Sequence, residues 1–153
     1  MEYKHTQRGW LGVPFVGFGL IVIIVVIIAS GGSDSGDLGW ILAWTTALLV
    51  MILLVVLHFS RLTVTVDDTA VTAGFGFIDR PKRVIRYDEV VSVERVRNKW
   101  WYGYGVRWIP GGSMFNVQGN DAVELTYTDG RKFRIGTNDV ENLYAVLQEV
   151  IGS

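Results

Sequence analysis

The sequence predicts a membrane-embedded α-helical hairpin followed by a cytoplasmic β domain, a split barrel of seven to eight antiparallel strands capped by one C-terminal helix. Three observations predict it. Between Trp10 and Phe59 there is no Lys, Arg or Glu, and the only acids are Asp34 and Asp37. From Arg61 onward the apolar residues recur at every second position between short turn motifs. Near the C-terminus the spacing returns to that of an amphipathic helix.

Only 19% of the 153 residues are charged, against about 25% in an ordinary soluble chain. The deficit is confined to the first third, which excludes a soluble enzyme built on one core. Net charge is −1, so no global field draws in nucleic acid. The absence of cysteine removes disulfides, thiolate catalysis and cysteine metal sites.

Two domains are expected, residues 1–60 and 61–153. Leu11–Ala29 is uncharged and long enough to cross a hydrocarbon core as a helix, and Leu38–Phe59 is a second such run; the spans are taken as about 11–30 and 38–59. The polar link from Ser30 to Asp37 permits only an antiparallel hairpin. Lys4 and Arg8 precede the first span and Arg61 follows the second. The positive-inside rule therefore places both termini in the cytoplasm. Trp10 marks the inner interface, and Trp40 and Trp44 the outer one. Gly12 and Gly19 share one face of the first helix, and Ala43 and Ala47 one face of the second; small faces let helices approach closely, here the two spans on each other or copies of the chain through the same faces. His58 lies within a turn of the inner interface, and no intramembrane acid or base accompanies it. A transporter or pump is not supported.

The β domain opens with Leu62–Val66, alternating with period two, and a turn at Asp67, Asp68 and Thr69. Strands follow at Ala70–Phe75, Arg83–Arg86, Val90–Arg97, Gly105–Ile109, Met114–Val117, Ala122–Thr128 and Lys132–Ile135. Asp129-Gly130 is a two-residue hairpin signal. Pro110-Gly-Gly112 and Gly119-Asn120 mark further turns. Asn138 or Asp139 can cap the last helix, with Glu141 in capping-box position. Val140, Leu143, Tyr144, Leu147 and Val150 or Ile151 form the face that must cover a sheet.

Strands in that number followed by one amphipathic helix are the plan of a pleckstrin-homology-like (PH-like) fold. Gly103-Tyr-Gly105-Val-Arg107, Phe115-Asn-Val117, Ala122-Val-Glu-Leu125, Asp129-Gly-Arg131, Phe133 and Ile135-Gly-Thr137 resemble the bacterial PH-like domain of small two-helix membrane proteins. The resemblance covers the C-terminal two-thirds, and the helical hairpin is similar too. It implies a membrane-tethered interaction module in a bacterial plasma membrane and carries over no catalytic residue.

An up-and-down meander starting at the membrane makes alternate turns proximal and distal. The expected proximal turns carry Phe75, Phe77, Ile78, Arg80, Lys82, Arg83, Lys99, Trp100, Trp101 and Tyr102. Aromatics with Lys and Arg suit an anionic headgroup layer, so these residues are the candidate membrane-surface contact. The distal turns carry Asp67, Asp68, Asp88, Glu89 and Asp129. Two blander readings compete. Trp100, Trp101, Tyr102, Tyr104 and Trp108 could be barrel-core aromatics, and Arg80–Arg86 an ordinary solvated edge. A phosphoinositide pocket of the usual kind is excluded, because the first hairpin is Asp67-Asp68, with no cation from Leu62 to Asp79.

No catalytic residue, metal ligand or cofactor is expected. The only histidines are His5 and His58. Gly103-x-Gly105 and Gly74-x-Gly76 lack the third glycine of a phosphate loop. The sequence favours a non-enzymatic scaffold presenting its β domain to a protein partner or to copies of itself. The rival is a peripheral sensor of anionic lipid or envelope stress. Neither nucleic acid nor a small-molecule substrate is expected as partner.

Overall fold

The computed structural model describes residues 3–10, 12–30 and 36–152, with side chains outside 12, 13, 15, 29, 30 and 36–38. The chain divides into two compact units. One is Trp10–His58, and the other joins the N-terminal strand, through Gly9, to everything from Phe59 on.

The first unit contains α1 (Gly12–Ser30) and α2 (Gly36–Phe59). Gly39–Phe59 is, among the described residues, the one helix long and apolar enough to cross a membrane, and Val16–Ile28 is a shorter apolar stretch. Most of the connecting turn, and Asp34 with it, lies outside the described residues. A gap of about 250 Å³ separates the helices, lined by Val16, Gly19, Ile23, Leu49 and Leu53 among other apolar groups. A Cβ built on Gly19 would touch nothing within 4 Å, so Gly19 mediates no close approach. Ala43 and Ala47 are exposed, while Leu42, Thr45, Leu49 and Leu53 are half-buried. Within the hairpin the expectation of a small-residue seam on α2 is thereby corrected, since the branched side chains make the packed face. The surroundings of Gly12 lie outside the described residues.

The second unit holds two sheets. Tyr3–Arg8 forms β1, and β2 (Arg61–Val66), β3 (Ala70–Phe75) and β4 (Lys82–Arg86) follow in the order β1-β2-β3-β4, all antiparallel. The other sheet contains β5 (Val90–Arg97), β6 (Gly105–Ile109), β7 (Gly112–Asn116), β8 (Asp121–Tyr127) and β9 (Lys132–Gly136), ordered β5-β8-β9-β7-β6. Helix α3 (Val140–Ile151) packs on β5 and β8. One core joins the sheets and the helix, with Val64, Val71, Phe75, Ile85, Phe115, Leu125, Phe133, Leu143 and Leu147 among its buried members.

Three corrections to the expected meander follow. The N-terminal residues, read as a flank of the first span, form an edge strand. The strands make two sheets that do not close into a barrel. And β7 runs parallel to β9, because β8 pairs with β5 and β9 rather than with β7. Asn116 turns the chain out of β7: its amide donates to Gly119 O (2.9 Å) and its Oδ1 accepts from Gln118 N (3.2 Å).

Strand β1 is anchored by polar groups on alternate residues, as strand geometry requires. Tyr3 Oη donates to Asp139 Oδ2 (2.9 Å), His5 Nε2 meets Asn138 Oδ1 (2.8 Å), and buried Gln7 donates to Gln118 O (3.0 Å) and accepts from Asn138 N (3.1 Å). Burial, together with the Asp139 carboxylate, raises the pKa of the Tyr3 phenol and keeps it protonated. Asp139 is the N-cap of α3 but makes no side-chain capping bond. Its other oxygen accepts from Asn142 (2.7 Å), and Glu141 pairs with Arg95 (2.5 Å) instead of closing the capping box.

On the other face of β8 lies a buried ion network. Glu124 is 2% exposed. It accepts from Lys132 Nζ (2.6 Å) and Arg134 Nε (2.5 Å), and Arg134 continues to Asn98 Oδ1 (3.1 Å). Burial raises the Glu124 pKa, but the two cations lower it by more and leave the carboxyl below its ordinary 4.5.

Candidate functional site

The β unit has two chemically distinct ends, defined by register. Gly9 N donates to Ser60 O (2.6 Å), so the chain leaves and re-enters the unit at adjacent points beyond the last β1–β2 rung, Arg8 opposite Arg61. Phe75 faces Leu62 one rung on, and Gly76 N donates to Arg61 O (2.8 Å). The loop from Gly76 to Pro81 therefore lies at this end. The 98–104 connection lies there too. Arg97 faces Asp121, Asn98 N donates to Asn120 O (2.6 Å), Gly105 faces Asn116, and Gln7 touches Gln118.

Of the expected surface residues, this end gathers Phe77, Ile78, Arg80, Lys82, Lys99, Trp100, Trp101 and Tyr102. Phe77, Ile78 and Trp101 are well exposed, and Trp100 is 79% exposed. That settles the alternative for the two tryptophans: they are not core. A single 3-10 turn, Trp100–Tyr102, closed by Tyr102 N donating to Lys99 O (3.0 Å), presents them. Trp101 stands edge-on to Trp100 (5.8 Å between centroids), with Lys99 Nζ 5.1 Å from its ring. Gly103, at φ 71°, turns the chain back toward β6, a conformation that L side chains avoid.

One of the expected contacts is corrected. Phe75 is fully buried between Phe59 (5.4 Å) and Phe115 (4.9 Å) and cannot reach a surface. It occupies the inward phase of β3, so the turn begins one residue later. Arg83 remains exposed one rung from Lys82, with its guanidinium 5.9 Å from the centre of the Phe133 ring. Trp108 is 87% exposed on edge strand β6, so it too is outside the core.

The opposite end is acidic. Tyr87 Oη donates to Asp67 O (2.6 Å) and Thr128 N to Glu89 O (2.9 Å), bringing the 67–69, 87–89 and 128–131 turns together. Asp67 Oδ1 accepts from Thr69 N, Thr69 Oγ1 and Ala70 N, which holds its carboxyl below the usual range. Arg86 pairs with Asp88 (3.1 Å) and Arg131 with Asp129 (2.5 Å). The Arg131 backbone N–H and side chain lower the Asp129 pKa as well. Burial and the charges of Asp67 and Asp68 push the Tyr87 phenol up to about 12. These acids are engaged in turns and local pairs. Among the described residues no group of three or more His, Asp or Glu could hold a metal ion.

The sequence reading missed β1 and with it the Arg8–Arg61 rung. The signal was faint, since the inward residues Tyr3, His5 and Gln7 are polar. No family model, curated protein or solved structure matches the chain.

Proposed function

We propose that this chain is a membrane-anchored, non-enzymatic interaction module of a bacterial plasma membrane. In this reading α1 and α2 form a two-span hairpin with both termini cytoplasmic, and a PH-like β unit sits against the inner leaflet. One observation carries it: exposed Phe77, Ile78, Trp100 and Trp101, interleaved with Arg80, Lys82 and Lys99, occupy the end of the β unit where the chain passes to and from the apolar helices. Aromatic rings favour the headgroup level and nearby cations attract anionic lipid. Because the unit is already tethered, the loops set its orientation more than its attachment. The acidic end then faces the cytoplasm.

A protein partner is favoured by a second observation. Edge strand β6 leaves Val106 and Trp108 exposed on one face, and edge strands accept extended peptides. From Asn98 to Asn120 the chain carries two cations, Lys99 and Arg107, the latter exposed on β6 itself, and no acid, so an acidic partner fits it best.

The test is hydrogen exchange of the full chain in lipid nanodiscs, since a fragment starting at residue 61 would lack β1. Exchange at 76–80 and 99–102 is expected to slow when phosphatidylglycerol replaces part of the phosphatidylcholine. Lys99→Gln should reverse about fivefold of that protection. Trp100→Ser with Trp101→Ser should abolish it and leave the core amides unchanged. Equal exchange in both lipids would sink the lipid-facing orientation and leave the β6 edge as the working surface.

A further inference from the structure

The last rung of the β1–β2 pair sets two arginines directly opposite each other. Arg8 and Arg61 are Cα partners on the outer face of the sheet, two residues beyond Thr6 and Thr63, whose hydroxyls meet at 3.2 Å. Directly opposed side chains sit about 5 Å apart at Cβ, and like charges so placed repel. Neither arginine has an acidic partner within ion-pair distance among the described residues. Arg61 is half-buried, its guanidinium lies 5.2 Å from the centre of the exposed Phe77 ring, and its Nε is buried with no hydrogen-bond acceptor. A buried donor without an acceptor is costly and calls for one. Asp79, placed against Gly74 next to Thr63 in the sheet, is the nearby acid, and it forms no ion pair with either arginine.

We propose that Arg8 and Arg61 clamp a phosphate oxyanion, with Phe77 holding the Arg61 guanidinium in plane. Guanidinium is the side chain whose fork of donors matches phosphate oxygens, two at a time. One anion between the two arginines removes the repulsion, and it reaches the buried Arg61 Nε only as that side chain turns outward. On the membrane-anchored reading proposed above, the rung is also the last before both strands continue into the apolar helices, where lipid phosphate is the most concentrated anion. The chemistry is shared by a lipid headgroup and free phosphate, and the experiment separates these sources. The clamp is independent of the 99–102 loop, so either can fail alone.

The experiment uses the full chain in uncharged maltoside micelles, with thermal unfolding and native mass spectrometry as readouts. One arm adds phosphatidylglycerol against phosphatidylcholine, and the other adds inorganic phosphate against chloride at equal ionic strength. One phosphatidylglycerol should be retained by the native chain. Arg8→Gln and Arg61→Gln should each weaken that retention about fivefold, the share of one cation, while Lys99→Gln leaves it unchanged. In lipid-free micelles Arg8→Gln should unfold no earlier than the native chain, because it relieves the repulsion, and Asp79→Asn should tighten retention. Stabilisation of the native chain by inorganic phosphate, absent in Arg8→Gln, supports the clamp with free phosphate as its source. The proposal is overturned if both variants respond to lipid and phosphate as the native chain does. It is equally overturned if Arg8→Gln is destabilised without any anion, which would make Arg8 merely structural.

Discussion

Glu124→Gln is expected to destabilise the β unit by about 3 kcal/mol, the lower end of the range for removing one partner of a buried ion pair. The carboxylate sits at the centre of β8, 3% exposed at its side chain, between Lys132 and Arg134. Glutamine keeps the shape but loses the charge and one acceptor. Lys132 is 40% exposed and can swing to water, whereas Arg134 is 17% exposed and is left with Asn98. The cost therefore falls mainly on Arg134. Glu124→Gln with Arg134→Met should recover part of it, since removing both charges spares the desolvation of either. Chemical denaturation of the full chain in micelles, followed by the β signal in circular dichroism, reads both.

The same pair sets a pH dependence with a definite sign. The folded state holds the Glu124 carboxyl below its ordinary 4.5. Its contribution is complete above that value and is lost as pH falls through the lower folded pKa. Asp67 and Asp129 are also held low and titrate in the same direction. The native-minus-variant difference isolates Glu124: the stability gap between native and Glu124→Gln should be full at pH 7 and narrow as the medium is acidified below pH 4.5. A gap that stays constant to pH 3 would mean the carboxylate is not paired in solution.

Most of the β unit after Arg61 is legible in the sequence because its strands are written twice, once as period-two apolar positions and once as turn residues between them. Asp67 bonding to Thr69 and Ala70 is the turn that Asp67-Asp68-Thr69 announces. Helix α3 is equally plain, since Leu143 and Leu147 are one turn apart and both fully buried. Strand β1 carries no such code. Its inward side chains are Tyr3, His5 and Gln7, and their burial is compensated by Asn138, Asp139 and Gln118, more than a hundred residues away. Polar complementarity at that separation has no local period. The loop aromatics were ambiguous for a related reason: Trp100 and Trp101 read alike whether inside or outside, and only pairing register decides. Phe75 and Phe77 would share a face if the strand continued, but β3 ends at Phe75 and the chain turns at Gly76, φ 76°, which is why one is core and the other surface.

Gly112→Ala is expected to break the pairing that sequence reading did not foresee. Pro110-Gly111-Gly112 reads as a turn, and Pro110 and Gly111 do form the two-residue loop, with Gly111 at φ 81° and Ile109 facing Gly112. Gly112, however, already belongs to β7 and lies opposite Lys132 on the parallel strand β9. A Cβ there would stand 1.7 Å from the Lys132 carbonyl oxygen, and the obstacle is backbone that no rotamer change can clear. Either β9 withdraws, opening the Lys132 N to Gly111 O bond (2.9 Å), or β7 shifts and drags Met114 and Phe115 from the core. Overpacking costs typically about 1–3 kcal/mol, and a main-chain clash belongs at the top of that range. Gly111→Ala meets nothing closer than Lys132 Cδ at 3.7 Å and should cost only the strain of its positive φ. The two adjacent substitutions thus separate turn from pairing. If glycine at 112 served only the turn, the two variants would unfold together. If β7 and β9 pair in parallel, Gly112→Ala should unfold well before Gly111→Ala, with exchange accelerated along both β7 and β9.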